Sequence, residues 1–123
     1  MSIYTLRVTE RFEAAHHLRS YHGLPEPVHG HSWRVEVKLT TDELDSEGMA
    51  VDFLEVRRQL AQLTSRFHHN DINSVPHFDN LNPTTEHIAR WFHERLTSAL
   101  PDVHVEEVTL WEGPDCSASY RLA

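Results

Sequence analysis

Three histidines stand at the ends of two alternating stretches, and imidazoles so placed can bind a metal ion. Residues 4–16 read Tyr4-x-Leu6-x-Val8-x-Glu10-x-Phe12-x-Ala14-x-His16, and residues 29–39 read His29-x-His31-x-Trp33-x-Val35-x-Val37-x-Leu39. Side chains alternate across a strand with period two, so both apolar runs carry histidine on their inward faces. Three imidazoles converging at the rim of one hydrophobic face form an open Zn²⁺ triad. The fourth position is left to water or substrate, as in a catalytic rather than a structural zinc site. The segment Val28-His29-Gly30-His31 does not specify a metal by itself; His16, in register on a partner strand, adds the third ligand. Without a metal the same residues would be rim histidines of an ordinary core.

Strict alternation predicts strands over residues 3–16 and 31–41, joined by a loop from His17 to Val28 that contains Gly23, Pro25 and Pro27. Asp42 to Gly48 is polar and turn-like. Asp52 then caps a helix, with Glu55 at the capping-box position and Phe53, Val56, Leu60, Leu63 and Phe67 as its apolar stripe. His68 to Pro83 is a second long connection. Asn82-Pro83-Thr84-Thr85-Glu86 starts a second helix, whose buried face is Ile88, Trp91, Phe92, Leu96 and Ala99 and which Pro101 ends. Strands at about 104–112 and 117–122 flank a turn at Gly113-Pro114-Asp115. The order β-β-α-α-β-β implies an α+β domain with an antiparallel sheet and two helices on one face. The uncovered face and edges of so small a sheet call for a partner, so an oligomer is expected.

A chain of 123 residues suits one domain, 1–123, with one core. No apolar stretch reaches membrane-spanning length, and residues 1–10 show no signal-peptide pattern. The lone cysteine, Cys116, cannot form an intramolecular disulfide, which fits a reducing cytoplasm. A net charge of −8 disfavours broad binding to nucleic acid or to an anionic membrane. An anionic small substrate remains compatible with it, since a few arginines suffice for a local site. Eleven histidines are the compositional outlier; His22, His77, His87, His93 and His104 fall in no constellation, and most of them read as solvated surface imidazoles.

Phe12-Glu13-Ala14-Ala15-His16, His29-Gly30-His31, Gly48-Met49-Ala50-Val51-Asp52-Phe53, Asn82-Pro83-Thr84-Thr85-Glu86 and Trp111-Glu112 together resemble the 6-pyruvoyl-tetrahydropterin synthase and 6-carboxy-tetrahydropterin synthase family, in order and spacing. The resemblance implies the tunnelling fold: a four-stranded antiparallel sheet backed by two helices, three sheets closing into a β-barrel, and two trimers stacking into a homohexamer. It implies a pterin substrate, 7,8-dihydroneopterin triphosphate or a relative, bound at a subunit interface with its side-chain hydroxyls on the zinc. The family's zinc ligands fall on His16, His29 and His31. Its pterin-anchoring carboxylate falls on Glu112, and the guanidine-like edge of a pterin suits a bidentate acceptor. The alternative for Glu112 is an ordinary acid at a strand end.

The chain also departs from the family. The chemistry needs a base to take a proton from the side chain while zinc stabilises the oxygen that gains charge. The family's cysteine base stands four residues before the His-Gly-His motif, and that position here is Pro25. The family's Asp-His relay pair, contributed by a neighbouring subunit, aligns with His68-His69, so the histidine is retained as His69 and the aspartate is replaced. Glu26, adjacent to Pro25, is the candidate substitute; divergent relatives use a glutamate near this position and cleave the side chain to 6-hydroxymethyl-dihydropterin. Otherwise Glu26 is a solvated loop acid. Asp71 is the candidate to orient His69. Cys116 does not align with the nucleophile and reads as a small buried residue. The expectation is a zinc-dependent carbon–oxygen lyase with altered proton-transfer residues; the alternative is a zinc- and pterin-binding homologue without the synthase activity.

Overall fold

Two strands of 13 residues, β1 (Tyr4–His16) and β2 (His29–Thr41), form the long hairpin that the alternation predicts, in a computed structural model that describes residues 2–123. The register is unbroken. Val8 faces Val37, Phe12 faces Trp33, Ala14 faces His31, and His16 faces His29 on the last rung. Val8, Phe12, Ala14, Trp33, Val35, Val37 and Leu39 are buried on the inner face. Phe12 and Trp33 stack with centroids 5.9 Å apart and planes within 2°. Such a pair adds about 0.5–1.5 kcal/mol to the burial itself, and it holds the two strands together just below the histidines.

β4 (His104–Glu112) pairs antiparallel with the other edge of β2, placing Val108 opposite Val37, Leu110 opposite Val35, and Glu112 opposite Trp33. A bulge at Lys38/Leu39 shifts the register beyond that point. β5 (Cys116–Tyr120) folds back on β4 through a turn whose first residue, Gly113, has φ +70°, a region costly for any residue with a Cβ.

The sheet has five strands and is mixed, where four antiparallel strands were expected. The extra strand, β3 (Asn70–Asp71), lies parallel to Ala14–Ala15 at the outer edge of β1, giving the order β3-β1-β2-β4-β5. It sits inside the long connection from His68 to Pro83. Two residues have no period to detect, so tertiary placement alone makes them a strand. A single 3₁₀ turn (Ile72–Ser74) follows directly.

Helix α1 (Phe53–Thr64) starts where expected, with the Asp52 carboxylate accepting from Leu54 N at 2.9 Å. The capping box does not close, because Glu55 pairs instead with Arg58 at 2.7 Å and accepts from Gln59. Val56, Leu60, Leu63 and Phe67 are buried, whereas Phe53 is exposed. Helix α2 (Thr85–Ala99) is capped by the Thr84 hydroxyl, which accepts from His87 N at 3.1 Å. Its buried face is Ile88, Ala89, Trp91, Phe92, His93 and Leu96, with Ala99 only half-buried. His93, read as a surface residue, is in the core; its Nε2 donates to the Val105 carbonyl at 3.1 Å, which satisfies the buried ring. α1 packs on β1 and α2 on β4 and β5, so the helices cover one face and share one core with it. The opposite face carries Arg7, Arg11, Glu13, Arg34, Glu36 and Lys38, exposed or half-exposed.

Candidate metal centre

The last rung of the β1–β2 hairpin carries the chemistry. His16 and His29 are direct cross-strand partners, and His31, two residues along β2, points to the same side. The ring centroids lie 4.6 Å (His16–His29), 4.7 Å (His29–His31) and 5.4 Å (His16–His31) apart, each pair nearly perpendicular. Trp33 forms the floor, edge-on to His16 at 4.9 Å and to His31 at 5.6 Å, with its indole N–H donating to the Ala14 carbonyl at 3.1 Å. The β2–β4 register brings Glu112 in from the third strand. One donor atom from each of His16, His29, His31 and Glu112 lies within 4.8 Å of all the others.

The hydrogen bonds around the rings decide which nitrogens are available. His16 Nδ1 donates to the Pro83 carbonyl at 2.9 Å, and His29 Nδ1 donates to the Pro27 carbonyl at 3.0 Å. A carbonyl can only accept, so both rings carry their proton on Nδ1 and, when neutral, present a bare Nε2 to the cluster. The Nε2 atoms of His16 and His31 are buried without a hydrogen-bond partner. Buried polar atoms are rarely left so, and a shared ligand is one physical reason for it. Three imidazoles and a carboxylate, two of the rings oriented by backbone carbonyls, suit a divalent ion of the zinc type. The residues present therefore fit the metal that the triad implies.

Burial holds His16 below the ordinary imidazole pKa, against the opposing pull of the Pro83 carbonyl and Glu112; the neighbouring His29 and His31 push it further down. A histidine depressed in the folded state is protonated more readily when unfolded. Its contribution to stability is therefore complete above about pH 6.5 and is lost as pH falls through the lower folded value. The metal-free protein is expected to lose stability as pH falls below about 6.5, measured as a fall in the urea midpoint, and His16→Gln should flatten that slope. A slope unchanged in the variant would assign the acid sensitivity elsewhere.

Two long loops interlock beneath the centre. Asn73 Oδ1 accepts from His17 N and its Nδ2 donates to His17 O, both at 2.9 Å. Asn82 does the same one step on, accepting from Arg19 N at 2.7 Å and donating to Ser20 O at 3.2 Å. Arg19 returns the link, donating to the carbonyls of Leu81 and Asn73 at 3.1 Å each. Glu26 is tied to the same segment: its N donates to Leu18 O at 3.0 Å, and its Oε1 accepts from Leu18 N at 2.8 Å. Between these ties Tyr21–Leu24 forms a tight turn with His22 and Gly23 both at positive φ. Glu26 Oε1 thereby stands 3.8 Å from His29 Nε2, and the carboxylate lines a cavity of about 320 Å³ with His16, His29, Thr85, Glu86 and Glu112. Thr85 enters the site as a residue that sequence reasoning missed; its hydroxyl donates to Glu112 Oε2 at 2.9 Å.

His69 and Asp71 lie outside this cluster. His69 has φ +60°, its N donates to the Glu13 carbonyl at 2.6 Å, and its ring stacks on His68 at 3.8 Å. His68 Nδ1 accepts from Glu13 N at 3.0 Å. Among the described residues Asp71 makes no hydrogen bond to His69; its Oδ1 accepts from Asn73 N at 3.0 Å and caps the 3₁₀ turn. An Asp two residues before an Asn at a helical start is a capping signal, and here it prevails over the relay reading. His69 and Asp71 instead line a second, open cavity of about 560 Å³ with Glu13, His31 and Ser32. Cys116, expected to be buried, is exposed at the start of β5 and takes no part in either cavity.

Residues 5–123 match a family described as 6-pyruvoyl tetrahydropterin synthase. The chain is similar to the dihydroneopterin monophosphate aldolase of Pyrococcus furiosus, 35% identical over 103 residues that cover 83% of each chain. It is also similar to the 6-carboxy-5,6,7,8-tetrahydropterin synthase of Synechocystis sp., 34% identical over 108 residues, 79% of this chain and 78% of that one. The fold is similar to that of 6-pyruvoyl tetrahydropterin synthase from Caenorhabditis elegans, with a TM-score of 0.86 at 24% identity over 100% of this chain and 98% of that one.

Proposed function

Because the chain belongs to the 6-pyruvoyl tetrahydropterin synthase family, we propose that it cleaves the side chain of a phosphorylated 7,8-dihydroneopterin, with zinc held by His16, His29 and His31 and Glu26 as the base. The observation that carries this reading is the position of Glu26. Proline stands where the family's cysteine is expected, and the next residue holds its carboxylate 3.8 Å from His29 Nε2. The name of the Pyrococcus furiosus relative, an aldolase, supports carbon–carbon cleavage.

When bound, zinc supplies a Lewis acid that makes side-chain hydroxyls easier to deprotonate. Glu112 accepts from the amino and ring N–H groups of the pterin and sets the side chain across the cavity. Glu26 Oε1 is engaged by Leu18 N, so Oε2 is the atom free to take a proton. It removes the proton of the 2′-hydroxyl. The C1′–C2′ bond breaks, C2′ becomes the aldehyde carbon of a phosphorylated glycolaldehyde, and the electron pair passes into the C6=N5 bond of the dihydropterin. Return of the proton to C1′ gives 6-hydroxymethyl-7,8-dihydropterin, with no oxidant or reductant consumed. A base positioned in this way supplies about 10²–10⁴-fold of the rate.

A carbon–oxygen lyase that expels triphosphate is the second reading, favoured by the description of the family itself. Incubating the zinc-loaded protein with 7,8-dihydroneopterin mono- and triphosphate, followed by mass spectrometry, separates the possibilities. Hydroxymethyl-dihydropterin with phosphorylated glycolaldehyde is the expected result. Pyruvoyl-tetrahydropterin with inorganic triphosphate would assign the second reading, and tight pterin binding without product would leave a binding homologue.

The same reading makes residues 1–123 one tunnelling-fold domain of a cytoplasmic homohexamer, its uncovered sheet face turned to a barrel interior. His69 would then serve a neighbouring subunit's cavity, which fits its place outside its own chain's cluster. Sedimentation at one chain mass would remove this assembly.

A further inference from the structure

Glu112 carries more than an anchoring role would require. Its Oε1 lies 3.0 Å from His31 Nε2, and its Oε2 lies 3.8 Å from His16 Nε2. His16 has its proton committed to Pro83, so its Nε2 presents a lone pair, and the carboxylate presents only lone pairs. Electron pairs converging in a half-buried corner, where the two imidazole nitrogens themselves are shielded from solvent, repel one another unless a cation lies between them. The His31–Glu112 contact is short yet is not aligned as a hydrogen bond, so a proton on His31 does not resolve it. The Thr85 hydroxyl, at the first residue of α2, donates to the same Oε2 at 2.9 Å, and the helix dipole there favours negative charge.

The geometry points to Glu112 as a fourth metal ligand in the substrate-free protein, one that leaves the ion when a pterin binds. The inference rests on the reading of His16, His29 and His31 as metal ligands. Three imidazoles and one carboxylate make a closed four-donor set, the kind that excludes a further ligand. A substrate with a guanidine-like edge offers that carboxylate two N–H donors at once. Taking them would draw Glu112 away from the three imidazoles and leave room there for the side-chain hydroxyls. One carboxylate thus serves the metal and the substrate in turn, and the open position exists only while a pterin is present. In the absence of substrate, water would then be kept from the ion.

The test compares metal binding in the unaltered chain, Glu112→Gln and Thr85→Val, starting from metal-free protein whose fold is verified by circular dichroism. Zn²⁺ affinity is measured against a competing chromophoric chelator, and Co²⁺ replaces Zn²⁺ as a spectroscopic probe. Glu112→Gln should weaken Zn²⁺ binding by at least about 10-fold and change the Co²⁺ absorption in the absence of any pterin. Thr85→Val, which keeps the charge and removes its clamp, should give a smaller loss. Adding neopterin to the unaltered Co²⁺ protein should move its spectrum towards that of Glu112→Gln. Equal Zn²⁺ affinity and identical Co²⁺ spectra for the unaltered chain and Glu112→Gln would overturn the inference. If neopterin binding is lost in that same variant, the anchoring role stands and only the ligand role falls. Failure of the unaltered chain to take up either ion would remove the metal reading itself.

Discussion

Replacing Glu26 by Gln is expected to lower kcat by about 10²–10⁴-fold while zinc content and pterin affinity stay as they are in the unaltered protein. The amide keeps an oxygen that can still accept from Leu18 N, so the backbone tie that positions the loop survives. The Asn73 and Asn82 links to residues 17–20 do not involve Glu26. What disappears is the ability to take a proton at Oε2. A structural role would produce a different pattern, with a raised KM and lost metal if the loop detached. Turnover within about threefold of the unaltered protein would exclude Glu26 as the base and return attention to His69.

The second large effect concerns the metal. An ion that binds only the folded chain stabilises it by about 4.1 kcal/mol at a thousand times its dissociation constant. For a domain of this size that corresponds to a rise in Tm of roughly 10 °C or more. His29→Ala should lose most of this rise and all detectable turnover. His29 suits the test better than His16, because its side chain is 37% exposed and its removal leaves little buried surface unpaired. The metal-free variant should therefore melt close to the metal-free parent. His16, only 2% exposed and tied to Pro83, would confound loss of metal with loss of packing. An equal zinc-induced shift in the parent and His29→Ala would show that the stabilising ion sits elsewhere.

The legible part of this molecule was the part with a period. Alternation in β1 and β2 identified the inward histidines, and the observed register puts His16 opposite His29 as parity required. Asp52 marked the start of α1 as its cap, and the run Asn82–Glu86 marked the start of α2, although the cap is Thr84 and Pro83 lies before the helix and not in its first turn. What escaped has no local signature. β3 is two residues long and owes its existence to the edge of β1. The Asn73 and Asn82 clamps join positions more than fifty residues apart, and a lone Asn in a polar loop resembles any other. His93 read as polar surface because the carbonyl that satisfies it belongs to β4. The nearness of Glu112 to the imidazoles follows from β2–β4 pairing, which no single strand encodes. The resemblance assigned Glu112 to the pterin, whereas the register sets it against the histidines as well.

The rung that joins His16 to His29 closes a loop of 12 residues, 17–28, that carries the proposed base. An ion shared across that rung would work as a clasp on the open end of the hairpin, and through Glu112 it would fasten β4 at the same corner. Fraying of β1 from β2 at that end would then require the metal to leave first. Amide hydrogens of residues 14–16 and 29–31 should exchange freely in the metal-free chain and become among the slowest once it is loaded. Loading would thus set the mobility of the segment that holds Glu26, and a protease acting near Tyr21–Leu24 would distinguish the two forms without any substrate being present.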